Sequence, residues 1–316
     1  MFRCYFILII FFISNIYSQE IPPIQNFTPN DYNAGIQNWM ISQAEDHSIV
    51  VANGDGILHF NSDWNYYPTT GFTLTRSIKS IGNKVYSGST EDFGYWLKSS
   101  NGYYVYYSLP QILDLKVDED EEFWDIYEIS NWIVFQSLSR LIFIDIETSE
   151  YRVIVPGGNI SNSFKVNNSI YFHMPNQGIF TVIAGKVVPF STNKFFRNNI
   201  VIDFFKIGSD FIALTEKNGF YKIDENSNVY KWNTDLDNFN DIKIYSSFLS
   251  SDNSILLGTV GKGYLKLSSN GQLIQNLDKS NGLINNTILS IFEDKNSNIW
   301  LALDNGLSVI NERSEE

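Results

Sequence analysis

The sequence predicts an all-β fold, a seven-bladed β-propeller built from repeats of about 40 residues. Candidate second strands recur seven times, and their centres are spaced by 35, 49, 37, 41, 44 and 44 residues, counted from Val51, Tyr86, Phe135, Phe172, Ala213, Leu257 and Leu301. A period of this size with several strands per repeat is typical of propeller blades. No segment shows a sustained helical period. A β-sandwich also has short strands and turns, but it does not normally repeat one strand–turn–strand pattern seven times.

The last repeat, residues 281–310, shows the pattern most clearly. Residues 287–292 and Ile299–Leu303 are nearly continuous apolar runs, which predict strands buried on both faces, as in a small sheet packed between two others. A polar turn at 294–298 separates them, and the Asp-Asn-Gly sequence at 304–306 predicts a tight hairpin into a third strand. The same order of apolar runs and turns predicts strands in the first repeat at 38–42, 49–52, 56–60 and 64–68.

Ring closure is predicted from the two ends of the repeat array. Only six polar or charged residues follow Ile310, so the seventh blade lacks a sequence for its outer strand. An open ring would leave unpaired strand edges. Residues 24–29 have the alternation and the final proline of the outer strand in the first repeat. We therefore expect residues 24–28 to pair beside 307–310 and to close the ring.

The N-terminus predicts export. Residues 1–18 contain Arg3, an apolar run over 5–13 and a small residue, Ser18, which is the plan of a cleaved signal peptide. The alternative, a membrane anchor, needs about 20 apolar residues, and this run is shorter. The expected mature domain is 19–316, in the periplasm or secreted. Cys4 is the only cysteine, so the mature chain would contain no disulfide.

Charge excludes two classes of partner. The formal net charge is −13, and loss of Arg3 with the leader makes it −14. Nucleic acids and anionic membranes both require a basic patch, so neither is an expected partner. The acidic run at 118–122 has the composition of a solvated loop. No segment after the leader approaches the length of a membrane span.

The seventh repeat, NGLINNTILSIFEDKNSNIWLALDNGLSVI, resembles the two-component regulator propeller repeat. It departs from the family pattern at two places. Ser297 replaces a turn glycine, and Ala302 and Leu303 replace a consecutive Gly-Thr pair. The sixth repeat has that step as Gly258 and Thr259.

The first three repeats resemble the N-terminal propeller of bacterial triple-tyrosine-motif regulators. The matching segments are QNWMISQ at 37–43, DFGYW at 92–96, FWDIYE at 123–128 and WIVFQSLSR at 132–140. The resemblance implies a periplasmic propeller that senses a ligand, followed in the family by a three-tyrosine β-domain, a membrane helix and a cytoplasmic output part. No such segment occurs before Glu316. We therefore expect the sensor portion of a regulator without its output half, either truncated or stand-alone.

Metal and cofactor sites are not predicted. Asp294, Asn296 and Asn298 have the 1, 3, 5 spacing of a calcium loop, but that loop needs glycine at position 6 and glutamate at position 12. Ile299 and Asn305 occupy those positions, which favours an ordinary turn. The three histidines lie in separate repeats without the spacing of zinc ligands.

Enzyme activity is not predicted either. The GxSxG elbow of serine hydrolases is absent, and the turn at Asp294 is out of register with the sialidase turn motif. A glycosidase would need two carboxylates, for which Glu91, Asp92 and Glu122 are the candidates. We keep a carbohydrate-active enzyme as a distant alternative.

Ligand binding is expected at the end of the propeller where the d–a and b–c connections converge. The candidate residues combine charge with aromatic rings in the first three repeats: Trp39, Arg76, Glu91, Asp92, Glu122, Trp124 and Arg140. Polar residues of later repeats join them at this end: Asn176, Gln177, Lys217, Lys262 and Asp304. This composition suits a polar ligand such as an oligosaccharide or a peptide. The alternatives are that both tryptophans belong to the core, and that the chain is a structural or protein-interaction propeller.

Overall fold

The computed structural model describes residues 21–54, 56–69, 73–238 and 242–312, and it is a seven-bladed β-propeller. Seven four-stranded antiparallel sheets form the blades, each ordered from an innermost strand a to an outermost strand d. The predicted fold class is confirmed. The predicted signal peptide, 1–18, lies outside the described residues.

The blades follow one another along the chain after a first strand, β1 (Ile24–Phe27), and a short helix, α1 (Pro29–Tyr32). Blade 1 contains β2 (Asn38–Gln43), β3 (Ile49–Asn53), β4 (Gly56–Asn61) and β5 (Asp63–Pro68). Blade 2 contains β6 (Thr75–Ile81), β7 (Lys84–Ser89), β8 (Phe93–Lys98) and β9 (Tyr104–Ser108), and helix α2 (Leu109–Leu113) follows it. Blade 3 contains β10 (Phe123–Ile129), β11 (Trp132–Ser137), β12 (Leu141–Asp145) and β13 (Tyr151–Ile154).

Blade 4 contains β14 (Asn162–Val166), β15 (Ser169–Met174), β16 (Gly178–Ile183) and β17 (Lys186–Ser191), and helix α3 (Lys194–Asn198) follows it. Blade 5 contains β18 (Val201–Ile207), β19 (Asp210–Thr215), β20 (Gly219–Ile223) and β21 (Val229–Lys231). Blade 6 contains β22 (Ile244–Leu249), β23 (Ile255–Thr259), β24 (Tyr264–Leu267) and β25 (Leu273–Leu277). Blade 7 contains β26 (Ile288–Glu293), β27 (Ile299–Leu303) and β28 (Leu307–Ile310), with β1 as its outermost strand.

Helical turns mark one end of the propeller. The three helices and the two 3₁₀ turns, Asp235–Asn238 and Lys279–Asn281, all connect the d strand of one blade to the a strand of the next. Because strands alternate in direction, these d–a connections lie at the same end as the b–c turns. We call this end the upper face. The a–b and c–d turns form the lower face.

The N-terminal strand closes the ring as predicted. Strand β1 pairs antiparallel with β28, from Ile24 opposite Ile310 to Phe27 opposite Leu307. Phe27 is buried, and its ring stacks on Trp300 of the same blade at a centroid distance of 6.2 Å. It also meets the edge of Trp64 in blade 1 at 5.2 Å. The closing strand therefore contributes core contacts to both the first and the last blade.

Apolar side chains of the a, b and c strands pack between neighbouring blades. At the interface of blades 2 and 3, the ring centroid of Phe93 lies 4.5 Å from those of Phe123 and Phe135. Each of the three rings is fully buried. Because every blade is covered on both sides, its inner strands need apolar residues on both faces, which explains the nearly continuous apolar runs.

The calcium-like spacing at 294–298 forms a turn. Oδ1 of Asp294 accepts hydrogen bonds from the backbone N–H groups of Asn296 and Asn298, at 2.8 and 2.9 Å. Its Oδ2 accepts from Nε1 of Trp300 at 3.0 Å. The carboxylate thus organises its own turn and satisfies the buried indole. Asp224 makes the equivalent backbone contacts to Asn226 and Asn228 in blade 5.

Candidate ligand-binding channel

Six of the seven innermost strands carry a β-bulge at their second residue. In blade 1, Asn38 pairs with Asn53 and Met40 pairs with Ala52, so Trp39 has no opposite residue on β3. A bulge adds one residue to a strand and re-aims its side chain. The six bulged residues all line the central channel: Trp39, Arg76, Trp124, Ile202, Tyr245 and Leu289. We call them the mouth residues.

Blade 4 differs from the others. Strand β14 pairs with β15 without a register shift, from Asn162 opposite His173 onwards. Ser161 and Asn162 line the channel at this point. The channel has a volume of about 840 Å³ and is lined by the innermost strands of all seven blades. This volume is in the range of small-molecule sites.

Arg76 lies between two tryptophans at the channel mouth. Its guanidinium carbon is 4.2 Å from the ring centroid of Trp39 and 4.9 Å from that of Trp124. Nε of Arg76 donates to Oε1 of Glu122 at 2.9 Å, and Nη2 lies 2.8 Å from the same oxygen. The side chain of Arg76 is only 13% exposed. The structure therefore brings together four of the predicted site residues, Trp39, Arg76, Glu122 and Trp124, as one clamp.

The other three predicted residues lie on the upper face but outside the channel wall. Oδ1 of Asp92 accepts from Oγ of Ser108 at 2.7 Å and from the N–H of Phe93 at 2.9 Å, and burial raises its pKa. Oε1 of Glu91 accepts from the backbone N–H of Asp120 at 2.9 Å. These contacts hold the connection between blades 2 and 3.

Arg140 makes a buried ion pair. Its Nε donates to Oε1 of Glu121 at 2.9 Å, and both side chains are largely covered. Hydrogen bonds from Arg140 and Ser137 hold the pKa of Glu121 below its usual value, although burial alone would raise it. Arg140 therefore fixes the acidic loop before β10.

Two carboxylates lie deeper in the channel, one residue after the mouth residues of blades 3 and 5. Burial, together with the nearby charge of Asp203, raises the pKa of Asp125 to about 6. Burial also raises the pKa of Asp203 to about 6. Oγ of Ser163 donates to Oδ2 of Asp125 at 3.5 Å, and Ser247 donates to Asp203. The channel thus places paired hydrogen-bond acceptors below an aromatic mouth.

The lower part of the channel contains lysines. Burial lowers the pKa of Lys79, and the charge of Lys165 acts in the same direction, whereas Glu128 raises it. All three side chains line the channel. A second cavity of about 360 Å³ opens beside Lys79 at the lower face, next to Gln43 and Glu293.

Sequence reasoning missed the deeper residues of the channel. The signal available was a recurring polar residue at the third position of the innermost strands, as in TRSI, FWDI, VIDF and ILSI. These positions hold Ser77, Asp125, Asp203 and Ser290. Three of the four line the channel, and Oγ of Ser77 donates to the carbonyl of Phe123 in the next blade. Tyr245 was missed because a bulge directs it into the channel. A bulge depends on how two strands pair, which the sequence alone does not show.

Residues 282–305 match the family model described as two component regulator propeller. The resemblance indicated by the seventh repeat is therefore confirmed for that repeat. No curated protein matches the chain.

Solved structures with the same architecture include sensor propellers and enzymes. The extracellular domain of a proposed one component system, BT4673, from B. thetaiotaomicron has a TM-score of 0.71 and 17% sequence identity, with 94% of this chain and 40% of that chain covered. The extracellular domain of a proposed hybrid two component system, BT3049, from the same organism has a TM-score of 0.70 and 14% identity, with 92% of this chain and 42% of that chain covered. This chain therefore spans about two fifths of those extracellular domains.

A third similar structure is a catalytically inactive histidine variant of virginiamycin B lyase from Staphylococcus aureus, with quinupristin. Its TM-score is 0.70 and its identity 14%, and the alignment covers 92% of this chain and 99% of that chain. At these identities the likeness establishes the fold alone. His47, His59 and His173 of this chain are not among the residues that line its channel.

Within the described part of the chain, no helix has the length and apolar character of a membrane span. The same residues contain no group of three or more His, Cys, Asp or Glu side chains placed to hold a metal ion.

Proposed function

We propose that this chain is the ligand-recognition propeller of an extracellular sensor, and that a polar ligand binds at the channel mouth on the upper face. The observation that carries this proposal is the register of the innermost strands. Six blades each use a bulge to direct one side chain into a single opening. Bulges re-aim side chains and occur often next to functional sites, although each one interrupts the strand ladder.

Several observations support a sensor over an enzyme. The similar sensor domains BT4673 and BT3049 are described as extracellular, and the N-terminal sequence has the plan of an export signal. The similar lyase structure is described as inactive in a histidine variant, whereas no histidine lines the channel of this chain. We therefore infer a binding module that acts outside the cytoplasm and has no catalytic role.

A thermal-shift panel of oligosaccharides and peptides tests the proposal. A ligand present at 100 times its Kd should stabilise the protein by about 2.7 kcal/mol through mass action. Leu289→Trp should abolish the shift, because it enlarges a mouth residue without removing a polar contact. Leu289 is only 9% exposed, so a larger side chain can disturb the packing around it. The Tm of the unliganded variant therefore serves as the control for folding. A ligand whose shift is unchanged in Leu289→Trp would contradict binding at the mouth. A panel without any shift would favour the protein-interaction propeller.

A further inference from the structure

The aromatic mouth is not an open stacking platform. The guanidinium of Arg76 covers one face of Trp39 and one face of Trp124, at 4.2 and 4.9 Å from their ring centroids. The indole N–H groups of both tryptophans are buried without a hydrogen-bond partner among the described residues. Sugar recognition by aromatic residues needs a free ring face and accessible polar groups around it. At the two largest rings of this mouth, Arg76 already occupies one face and the indole N–H is buried.

Exposed apolar side chains are present on the upper face around the channel, and we call them the apolar rim. Six lie on connections and Tyr245 lies on β22: Ile36, Leu74, Ile112, Leu138, Ile200, Tyr245 and Val260. Leu138, Ile200 and Tyr245 also line the channel, next to the charged side chains of Glu216 and Lys243. The a–b turns of the lower face contain no large apolar residue, whereas Tyr103 and Ile183 are exposed at or beside its c–d turns. Exposed apolar residues beside a channel opening provide a surface for an interaction partner.

The rim positions are fixed by backbone hydrogen bonds. The carbonyl of Leu74 accepts from the N–H of Thr90 at 3.1 Å, and the carbonyl of Ile200 accepts from Glu216 at 3.0 Å. The carbonyl of Leu138 accepts from Ile160 at 2.8 Å. The apolar side chains are thus presented on a rigid frame. A protein segment with apolar residues would cover them, whereas an oligosaccharide would leave them exposed.

Below this rim, the acceptors of Asp125 and Asp203 have no cationic partner. No lysine or arginine lies within ion-pair distance of either carboxylate in the described ranges. Their recorded donors are hydroxyl and backbone groups, and both side chains line the channel. The phenol of Tyr245 lies close enough to Arg76 and Asp125 for both charges to influence its pKa, which burial raises. Tyr245 and both carboxylates line the same channel.

We propose that the channel takes the side chain of a lysine or arginine from a peptide segment that lies across the apolar rim. The aliphatic stem passes Ile202, Tyr245 and Leu289, and the cationic group reaches Asp125 and Asp203. Long basic side chains combine an apolar stem with a charged head, which matches this order of surfaces. Arg76 does not compete for the carboxylates, because Glu122 already pairs with it. The inference rests on the proposed function and specifies the ligand of the same site.

Matched peptide libraries test this inference. Heptapeptides with randomised apolar and small flanking residues carry a fixed central lysine, arginine, norleucine or citrulline, and their retention on the immobilised protein is measured. We expect at least tenfold enrichment of the lysine and arginine libraries over their neutral matches. For peptides recovered from them, Kd is then measured by tryptophan fluorescence. Asp125→Asn and Asp203→Asn should each weaken binding at least tenfold.

Glu119→Gln is the matched control, because Glu119 is an exposed carboxylate of the upper face outside the channel. It should change Kd less than twofold. Equal retention of the norleucine library, or unchanged Kd in the two asparagine variants, would overturn the inference. Spermidine that binds as tightly as the peptides would assign the site to free polyamines and overturn the peptide assignment. An oligosaccharide that binds independently of Asp125 and Asp203 would refute the inference and leave the proposed function intact.

Discussion

Oγ of Ser308 donates a hydrogen bond of 2.6 Å to Oδ1 of Asn26, and so joins side chains that are 282 residues apart in the chain. Nδ2 of Asn26 donates in turn to the carbonyl of Gly282 at 2.9 Å. One amide therefore links the closing strand β1 both to its neighbour β28 and to the connection that precedes blade 7. This adds side-chain specificity to the four-residue backbone pairing.

Replacing that amide should destabilise the ring. We expect Asn26→Ala to lower the free energy of unfolding by about 1–2 kcal/mol, because Ser308 is fully buried and loses its acceptor. Urea denaturation measures the loss. Gln25→Ala is the control, since Gln25 is an exposed neighbour on the same strand. Equal effects of the two variants would show that only backbone pairing matters at this position.

Deleting residues 19–30 should have a larger effect. The deletion removes β1, exposes the edge of β28 and takes Phe27 out of the core between blades 7 and 1. We expect a loss of several kcal/mol and concentration-dependent aggregation, because an unpaired edge can pair with another chain. Thermal melting and light scattering report both. A monodisperse deletion variant with an unchanged Tm would contradict closure by β1.

The clamp that Arg76 forms with the two tryptophans and Glu122 should stabilise the fold as well as shape the channel mouth. Arg76→Met retains an apolar stem between the two tryptophans but removes the cation and leaves Glu122 without its ion pair. We expect a loss of about 1–3 kcal/mol and a change in intrinsic fluorescence. Arg152→Met is the matched control, since its guanidinium lies 5.1 Å from the ring centroid of Trp132 at an exposed position. A loss of unfolding free energy no greater than that of the control would show that the clamp adds no more stability than an exposed cation–ring contact.

The buried carboxylates predict an unusual pH dependence. Because burial raises the pKa of folded Asp203 from 3.8 to about 6, the folded state binds an extra proton between these values. The contribution of Asp203 to stability therefore becomes more favourable as pH falls from 7 to 4. At pH 7 both states are ionised, and burial of the charge costs on the order of 3 kcal/mol.

Asp203→Asn should remove this cost. We expect the variant to be more stable than the wild type at pH 7 and to lose that advantage as pH falls through about 6. The difference between the two proteins reports Asp203 together with its effect on the pKa of Asp125, because His59 and His173, whose pKa values burial lowers, are common to both. Chemical denaturation at a series of pH values measures it. A constant difference from pH 7 to pH 4 would contradict the assigned pKa.

A glycine in the sixth repeat should be intolerant of substitution. A Cβ at Gly258 would lie 2.3 Å from Oγ of Ser246 and 2.8 Å from Cγ2 of Ile288 in the next blade. Gly258→Ala should therefore destabilise the protein by about 1–3 kcal/mol through overpacking. Ala302→Gly tests the equivalent position of blade 7, where only the weaker strand penalty of glycine is expected. Similar small losses at both sites would show that the blades can separate to accommodate the methyl group.

The blade count, the strand order and the ring closure could be predicted because they follow from patterns that every repeat shares. Apolar runs covered on both faces, turn residues between them and an N-terminal segment with the pattern of an outer strand together predict the ring. The tight turn at Gly306, whose φ is +91°, follows from the Asp-Asn-Gly sequence in the same way. These features depend on local sequence, so the sequence alone predicts them.

The site was predicted only in part, because its geometry depends on pairings between strands. Trp39, Arg76, Glu122 and Trp124 were selected for charge and aromatic character, and the structure brings them together. Glu91, Asp92 and Arg140 have the same character, but their hydrogen bonds hold a loop. A one-residue bulge decides which side chains enter the channel, and composition does not record a bulge. Asp125 and Asp203 were missed for this reason.

The closure also determines how the fold would respond to mechanical load. Ile24 and Ile310 are opposite each other at one end of the β1–β28 pair, and the N–H of Asn311 donates to the carbonyl of Pro23 at 3.0 Å. The two flanking segments therefore leave the ring side by side at the lower face. Tension applied between them would rupture the pair one hydrogen bond at a time, as in unzipping, and would not shear all of its bonds together. A sustained pull should open the ring at this seam while the other six blades remain folded.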